Sequence, residues 1–350
     1  MTKKIKTGGL YIGGGEKIAV QSMCNIKTEK YEEVIAQIKR LENLGCDIIR
    51  VSVKDEADVK ALKKIKSGIN IPLVADVHFD YKLAIGAIEQ GVDKIRINPG
   101  NIGLERGVKA VAEALKSSGA SCRVGSNTGS VEKHFLQKYG KNEVSLAESA
   151  LEKVAMLEKY GFYDIVISAK ASSVPLTVKT YKYLSEKTSY PLHVGVTEAG
   201  TLYGGIIKES AGIGALLLQG IGDTIRYSLS APPEEEVKAG VKLLRALGIE
   251  KNFAEVIACP TCGRTEYDCI GLAEEVENYV ANVKKPLKIA VMGCVVNGPG
   301  EAKDCDLGIA GNGEKCVIFK KGEVYKTIPA KNAKQEFLKE IDLALLSLKK

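Results

Sequence analysis

Cys259 and Cys262 stand in the run Ala258-Cys259-Pro260-Thr261-Cys262-Gly263-Arg264, and Cys294 follows in Met292-Gly293-Cys294-Val295-Val296-Asn297-Gly298-Pro299-Gly300-Glu301. A C-x-x-C pair on one tight loop offers two thiolates to one metal centre, and a third Cys in a glycine-rich turn can complete that side. Spacing alone leaves zinc and iron open. C-P-x-C-G also occurs in zinc ribbons, but those usually carry a second C-x-x-C, and this chain has none. Cys269, Cys305 and Cys316 are possible fourth thiolates, with Cys305 the best spaced, and Glu301 is the non-cysteine candidate. A hard carboxylate on a soft cluster iron would be its weakest ligand. The incomplete thiolate set therefore points to a catalytic iron that can exchange a ligand. Cys24, Cys46 and Cys122 lie in or beside apolar runs and read as small core residues.

A second constellation is basic. Arg50, Asp76 with His78, Arg96 with Asn98, Arg123 with Asn127, Lys170, Glu198, and Arg226 with Ser228 fall at the ends of short β-branched runs. A lone strand-end Arg is ordinarily an ion-pair partner. Arg50, Arg96, Arg123, Lys170 and Arg226 in register are harder to account for that way, because so much like charge cannot be buried unpaired. Their mouth should hold an anion of several charges, a phosphate or diphosphate, gripped bidentately by the guanidiniums. The loops Asn98–Gly103 and Gly200–Gly205 can add backbone N–H groups. Asp76 and Glu198 are either acid–base groups or counter-charges, and cations beside them would favour the ionised form. His78, and more weakly His134 and His193, need no role beyond satisfying a nearby loop.

The elements that must position these residues repeat one unit. Candidate strands are 17–23, 48–53, 72–77, 94–98, 122–127, 164–170, 191–198 and 223–230. Helical periodicity fills the spaces between, as in 29–44, 81–90, 104–117, 146–160, 174–188, 205–219 and 233–247. Several helices end on Gly, where a left-handed cap is cheap. Eight such units amount to roughly 250 residues, the usual size of a (β/α)8 TIM barrel, whose chemistry sits at the C-terminal ends of its strands. An open doubly wound sheet is the rival, disfavoured by the absence of G-x-G-x-x-G after the first strand. Residues 1–250 thus read as a barrel that binds substrate. Residues 251–350 read as a small α+β domain carrying the cysteines, with helices at 270–282 and 330–349, strands at 287–292, 306–310, 315–320 and 323–328, and a hinge near 252–255.

Bulk properties agree. The chain has 350 residues, 45% hydrophobic and 27% charged, enough for sizeable cores. The net charge of +7 suits anionic substrates and is too diffuse to argue for nucleic acid. Neither a basic stripe nor a helix-turn-helix pattern suggests a cluster-bearing nucleic-acid switch. No long apolar run predicts a membrane span, and no signal peptide is expected at the N-terminus. Nine Cys without such a signal predict a reducing, cytoplasmic setting and metal or redox use.

Together the residues resemble the 4-hydroxy-3-methylbut-2-enyl diphosphate synthase family essentially end to end, in its short bacterial form. The resemblance rests on Val20-Gln21-Ser22-Met23, Ala75-Asp76-Val77-His78-Phe79, Arg96-Ile97-Asn98-Pro99-Gly100-Asn101, Arg123-Val124-Gly125-Ser126-Asn127, Gly195-Val196-Thr197-Glu198-Ala199-Gly200 and the two cysteine motifs, in that order. It implies a 4Fe–4S cluster held by Cys259, Cys262, Cys294 and Glu301. The implied reaction is reductive ring opening of 2-C-methyl-D-erythritol 2,4-cyclodiphosphate with loss of water, in the methylerythritol phosphate route to isoprenoids. Reduced flavodoxin or ferredoxin would supply the electrons. A homodimer is implied too, in which the cluster domain of one subunit caps the barrel of the other. By motif position, Arg50, Arg96, Arg123, Lys170 and Arg226 would grip the diphosphate, with Ser228 beside them. Asp76, Asn98 and Asn127 would position the erythritol part, and Glu198 would deliver a proton. One departure is visible: the family usually carries small apolar residues on either side of the Asn, where this chain has Ser126 and Thr128. The competing enzyme reading is an aldolase- or pteroate-synthase-like phosphate-binding barrel with a structural zinc domain.

Overall fold

The computed structural model describes residues 1–102, 105–265, 267–296, 300 and 302–348. The chain divides into two compact units, Met1–Leu247 and Gly248–Lys350.

In the first unit an antiparallel hairpin, β1 (Ile5–Thr7) and β2 (Leu10–Ile12), precedes the repeating units. These run β3 (Ala19–Met23), α1 (Tyr31–Asn43), β4 (Ile48–Val53), α2 (Glu56–Ser67), β5 (Leu73–Val77), α3 (Tyr81–Glu89), β6 (Lys94–Ile97) and α4 (Glu105–Ser118). They continue through β7 (Ser121–Asn127), α5 (Lys133–Tyr139), α6 (Glu143–Glu158), β8 (Ile165–Lys170), α7 (Val174–Lys187), β9 (His193–Val194), β10 (Gly200–Thr201), α8 (Leu202–Leu217), β11 (Thr224–Ile225), β12 (Leu229–Ser230) and α9 (Pro233–Ala246).

The parallel order β8-β7-β6-β5-β4-β3-β11-β9 is closed by a bridge between Ile167 and Leu192, so the sheet is a nearly closed eight-stranded barrel. Helices form where an apolar stripe can cover it, as with Val34, Ile38 and Leu41 on α1. Local caps mark their starts: Asp55 accepts from Ala57 and Asp58 N–H, and Asn142 from Val144 and Ser145 N–H. The sequence reading passed over α2 and α5. It also expected long strands at 191–198 and 223–230; the first range holds only β9, the second holds β11 and β12, and β12 pairs with β10. Left-handed backbone at Glu198 (φ 53°) and Gly200 (φ 118°) interrupts the extended run.

Side-chain alternation sorts the strands into an outer face against the helices and an inner face. At one end of the interior, Ala19, Ile48, Val74 and Val166 pack on Ile12 and Leu10, so the hairpin plugs the N-terminal end of the barrel. No helix among the described residues is long and apolar enough to cross a membrane.

The second unit holds β13 (Ala254–Ala258), α10 (Cys269–Val280), β14 (Leu287–Met292), β15 (Leu307–Asn312), β16 (Lys315–Lys320), β17 (Glu323–Pro329) and α11 (Ala333–Ser347). Its sheet runs in chain order, parallel from β13 to β15 and antiparallel from there to β17. Ala254 and Glu255, expected in a hinge, start β13 instead, because they pair with Leu287 and Lys288 of β14. Ile289, Val291, Leu307 and Ile309 face the apolar sides of α10 and α11, while Ala290, Met292, Ala310 and Phe319 form a smaller core on the other face.

Ile12 is fully buried against the inner wall, so Ile12→Ala should lower unfolding free energy by about 2–5 kcal/mol. Denaturant unfolding checks this; a loss below the lower bound would mean the hairpin is no plug.

Candidate active site

The period of two dictates which residues line the barrel above the plug. Inner positions run Ala19–Gln21–Met23, Ile48–Arg50–Ser52, Val74–Asp76–His78, Lys94–Arg96–Asn98, Ser121–Arg123–Gly125–Asn127, Val166–Ser168–Lys170 and Thr224–Arg226–Ser228. The five expected basic residues are brought together. Asp76 is their hub: its carboxylate lies 3.1 Å from Arg96 Nη1, 3.6 Å from Arg50 Nε and 3.4 Å from His78 Nε2. Arg96 Nη1 is also 2.8 Å from His78 Nε2. Asn98 is buried and its Oδ1 accepts from Gly100 N–H, while Asn127 N–H donates to Ser130 Oγ. Ser228 N–H is held by Glu209. Glu198 is exposed and makes no ion pair among the described residues. His134 stands at the surface, 3.3 Å from Glu152.

Two buried carboxylates escaped the sequence reading. Glu209 on α8 accepts from Val196 and Ser228 N–H, each at 2.7 Å, and so ties together the chain after β9 and after β11. Glu236 on α9 holds Arg226 through both oxygens at 3.3 and 3.2 Å and also accepts from Ser22 Oγ and Leu229 N–H. The available signal was an acid on an apolar helix face: Glu209 stands between Gly205 and Ile213, and Glu236 beside Val237. Gly195 has a steric reason. A Cβ there would meet Lys170 Nζ at 2.4 Å and Arg226 O at 2.5 Å, so only glycine lets the lysine pass.

The electrostatics are those of an anion receptor. Six basic side chains, Arg50, Lys94, Arg96, Arg123, Lys170 and Arg226, share the interior with three acids, Asp76, Glu209 and Glu236. Burial alone would push the Asp76 carboxyl up, but Arg50, His78 and Arg96 outweigh it and hold it well below the usual range. Burial pulls Arg50 down to about 9, with Asp76 opposing. Burial pulls Lys170 down to about 7, with Glu209 opposing and Arg123 and Arg226 reinforcing. Lys94, one layer deeper, is drawn down to about 7 by burial and Arg123. His193, also inside, is kept neutral by burial and the same cations. Arg123 Nε and Nη1, Arg96 Nε and Lys94 Nζ are buried without a protein acceptor. Donors left over in a cationic pocket are what a phosphate-type ligand completes.

In the second unit Cys259, Cys262 and Cys294 lie past the C-terminal ends of the neighbouring strands β13 and β14. Cys259 directly follows β13, and its N–H donates to Val291 O at 2.9 Å. Cys294 lies just past the end of the neighbouring parallel strand β14. The two loops touch: a Cβ on Gly293 would meet Thr265 Oγ1 at 2.6 Å, and Thr265 N–H donates to Cys262 O. Thr261 turns the C-x-x-C loop with a left-handed φ of 44°. Cys262 is exposed, Cys259 and Cys294 half-buried, and hydrogen bonds from Arg264 draw the Cys262 thiol down, toward the thiolate. Cys24, Cys46, Cys122, Cys269, Cys305 and Cys316 are buried, and burial pushes each of their thiols up. Three accessible thiols on one edge are a soft donor set. They do not close on one ion, since no three His, Cys, Asp or Glu among the described residues form a metal-sized group. Glu301, the expected carboxylate partner, lies outside the described residues.

Fold and site define a (β/α)8 barrel with a cationic interior, followed by a unit that carries three accessible thiols. The GcpE TIM-barrel domain matches residues 2–241 and the GcpE protein C-terminal domain matches residues 255–343, so the chain belongs to the GcpE family. A relative from Caldanaerobacter subterraneus subsp. tengcongensis is 58% identical over 98% of this chain and 97% of its own, and is named 4-hydroxy-3-methylbut-2-en-1-yl diphosphate synthase (flavodoxin). Relatives with the same name from Ruminiclostridium cellulolyticum and Bacillus mycoides are 52% and 50% identical, over 97% and 98% of this chain and 97% and 94% of their own. Among solved structures, dihydropteroate synthases of Stenotrophomonas maltophilia and Xanthomonas albilineans are similar with TM-scores of 0.52 and 0.51, at 13% and 15% identity, each covering 70% of this chain and 97% of that one. That likeness is one of fold alone.

The depressed value of Lys170 fixes two signs. In the empty protein the unfolded chain binds more protons between about 7 and the ordinary lysine value, so this group makes stability rise with pH across that window. An anion bound beside Lys170 favours the ammonium. Sulfate, which does not titrate here, should therefore bind more weakly as pH rises above about 7 and take up protons at pH about 8. Calorimetry in buffers of different ionisation enthalpy measures the uptake. Lys170→Met should remove most of it, and no uptake by the unaltered protein would place the anion elsewhere.

Proposed function

We propose that this protein converts 2-C-methyl-D-erythritol 2,4-cyclodiphosphate into 4-hydroxy-3-methylbut-2-enyl diphosphate, a step of the methylerythritol phosphate pathway of isoprenoid biosynthesis. The observation that carries the reading is the cation surplus on the inner wall, with Arg123 donors left unpartnered. Relatives with at least 50% identity across both units, named as synthases of that product, support the same reaction. In the reaction one ring C–O bond to phosphate breaks, a hydroxyl leaves as water and a carbon–carbon double bond forms. Two electrons and one net proton enter.

Arg50, Arg96, Arg123, Lys170 and Arg226 would bind the diphosphate and stabilise the phosphate oxygen as its bond to carbon breaks. Their donors are pre-aimed, since Asp76 and Glu236 hold Arg96 and Arg226 before the ligand arrives. Asp76, Asn98, Asn127 and Ser228 would orient the erythritol part. Glu198, exposed and held in a left-handed turn, would pass the proton between solvent and the leaving hydroxyl.

Cys259, Cys262 and Cys294 suit a 4Fe–4S cluster in donor type, accessibility and placement on one sheet edge, with Glu301 as fourth ligand. When bound, that group supplies one-electron reducing equivalents. Reduced flavodoxin, which appears in the relatives' names, would be the donor, with ferredoxin as substitute. A second copy of the chain and a cytoplasmic setting complete the proposal. The structural-zinc alternative is not favoured, because the pteroate-synthase likeness is one of fold at 13% identity.

Anaerobically purified protein should be brown, and Cys262→Ser should lose both the visible absorption and turnover. A colourless protein with stoichiometric zinc would revive the zinc-bearing barrel. Arg123→Ala should keep the absorption and weaken substrate binding about 10- to 100-fold, the size of losing hydrogen bonds to a charged partner. Unchanged affinity, read by equilibrium binding, would remove Arg123 from the grip.

A further inference from the structure

A buried cation outside the barrel interior has none of these roles. Lys153 projects from α6 and is 1% exposed. Its Nζ donates to Ser149 Oγ at 3.0 Å, Ser126 Oγ at 3.2 Å and Ser130 O at 3.2 Å, and lies 3.0 Å from Glu132 Oε1. An ammonium has three protons, so these four acceptors saturate it, and a lysine this buried is tolerated only on such terms. Ser149 and Lys153 are four residues apart and share one helix face. Ser126 and Ser149 hydroxyls also lie 3.0 Å apart. The hydroxyl at 126 thus has structural partners in Ser149 and Lys153.

What the knot holds is the site. Ser126 precedes Asn127 at the end of β7, and Ser130, whose carbonyl binds Lys153, accepts the Asn127 N–H through its hydroxyl. The chain after β6 passes close to the same knot: at Gly100 an added Cβ would reach van der Waals contact with Lys153 Cε at 3.6 Å, Glu132 Oε1 at 3.5 Å and Asn98 Oδ1 at 3.4 Å. We infer that Lys153 is a positioning residue that sets Asn98 and Asn127 against the polyol part of the substrate while leaving the arginine grip on the phosphates independent. This rests on the function proposed above and adds a residue to that site.

The test is equilibrium binding of two probes, the cyclic diphosphate and inorganic pyrophosphate, to the cluster-loaded protein. Pyrophosphate reads the grip alone. Lys153→Met should weaken the cyclic diphosphate about tenfold, the equivalent of one charge-assisted hydrogen bond, and change pyrophosphate less than about twofold. Glu132→Gln leaves no core cavity and keeps the test open should Lys153→Met fail to fold. It should shift the same ligand in the same direction by a smaller factor. Parallel losses for both ligands, or no loss for either, would overturn the positioning role alone. Wild-type protein that binds pyrophosphate but not the cyclic diphosphate would overturn the functional reading, and this inference with it.

Discussion

Arg50, Lys94, Arg96, Arg123, Lys170 and Arg226 occupy a barrel interior in which, among the described residues, Asp76 and the helix-borne Glu209 and Glu236 oppose them. Taking unpaired charge out of water is among the costliest acts available to a fold. The barrel contains that cost in three ways. Asp76 lies within ion-pair reach of Arg50 and Arg96. Glu236 grips Arg226 with both oxygens. Lys170 and Lys94 are drawn down to about 7, which sheds part of the charge. The remainder is a cationic surplus that a bound anion of several charges would balance, which would link affinity to stability.

The apolar plug at the other end makes this arrangement possible. Ile12 seals the interior against Ala19, Ile48, Val74 and Val166, so the polar layers open in one direction only. Ala19, Ile48, Val74 and Val166 form the apolar layer, and Arg50, Asp76, Arg96, Arg123, Lys170 and Arg226 stand on the same inner face above it. The helices then add carboxylates from outside, as Glu209 does by accepting two backbone N–H groups at the strand ends. Rigid second-layer groups of this kind let long basic side chains keep one geometry without losing more rotamer entropy on binding.

The cysteine unit separates reactive from inert thiols by depth. Six are buried, with thiols pushed up, and three lie at one edge of the sheet, half-buried or exposed. Parallel pairing of β13 with β14 explains the meeting of distant motifs, because both strands deliver their following loops to the same edge. Gly293 permits the contact, since no larger residue fits beside Thr265.

Much of this was legible before any coordinates. β-branched runs marked β3 to β8, those of β4 to β8 carrying Arg50, Asp76, Arg96, Asn127 and Lys170, and C-x-x-C with the later Cys marked the accessible thiols. The misses have physical causes. The run at 191–198 looked like a full strand, but room for Lys170 beside Gly195 and the left-handed backbone at Glu198 accompany its shortening to β9, and the run at 223–230 divides into β11 and β12. Ala254 and Glu255 look like linker and become strand through pairing with β14. Glu209, Glu236 and Lys153 looked like ordinary helix charges, since burial is invisible in a single sequence. The sequence by itself determined the barrel class, the basic wall and the thiol motif, because local periodicity and residue chemistry act over a few residues. Only the tertiary structure decided which charges are buried and which partners saturate them, because those energies depend on distance and solvent exclusion among residues far apart in the chain.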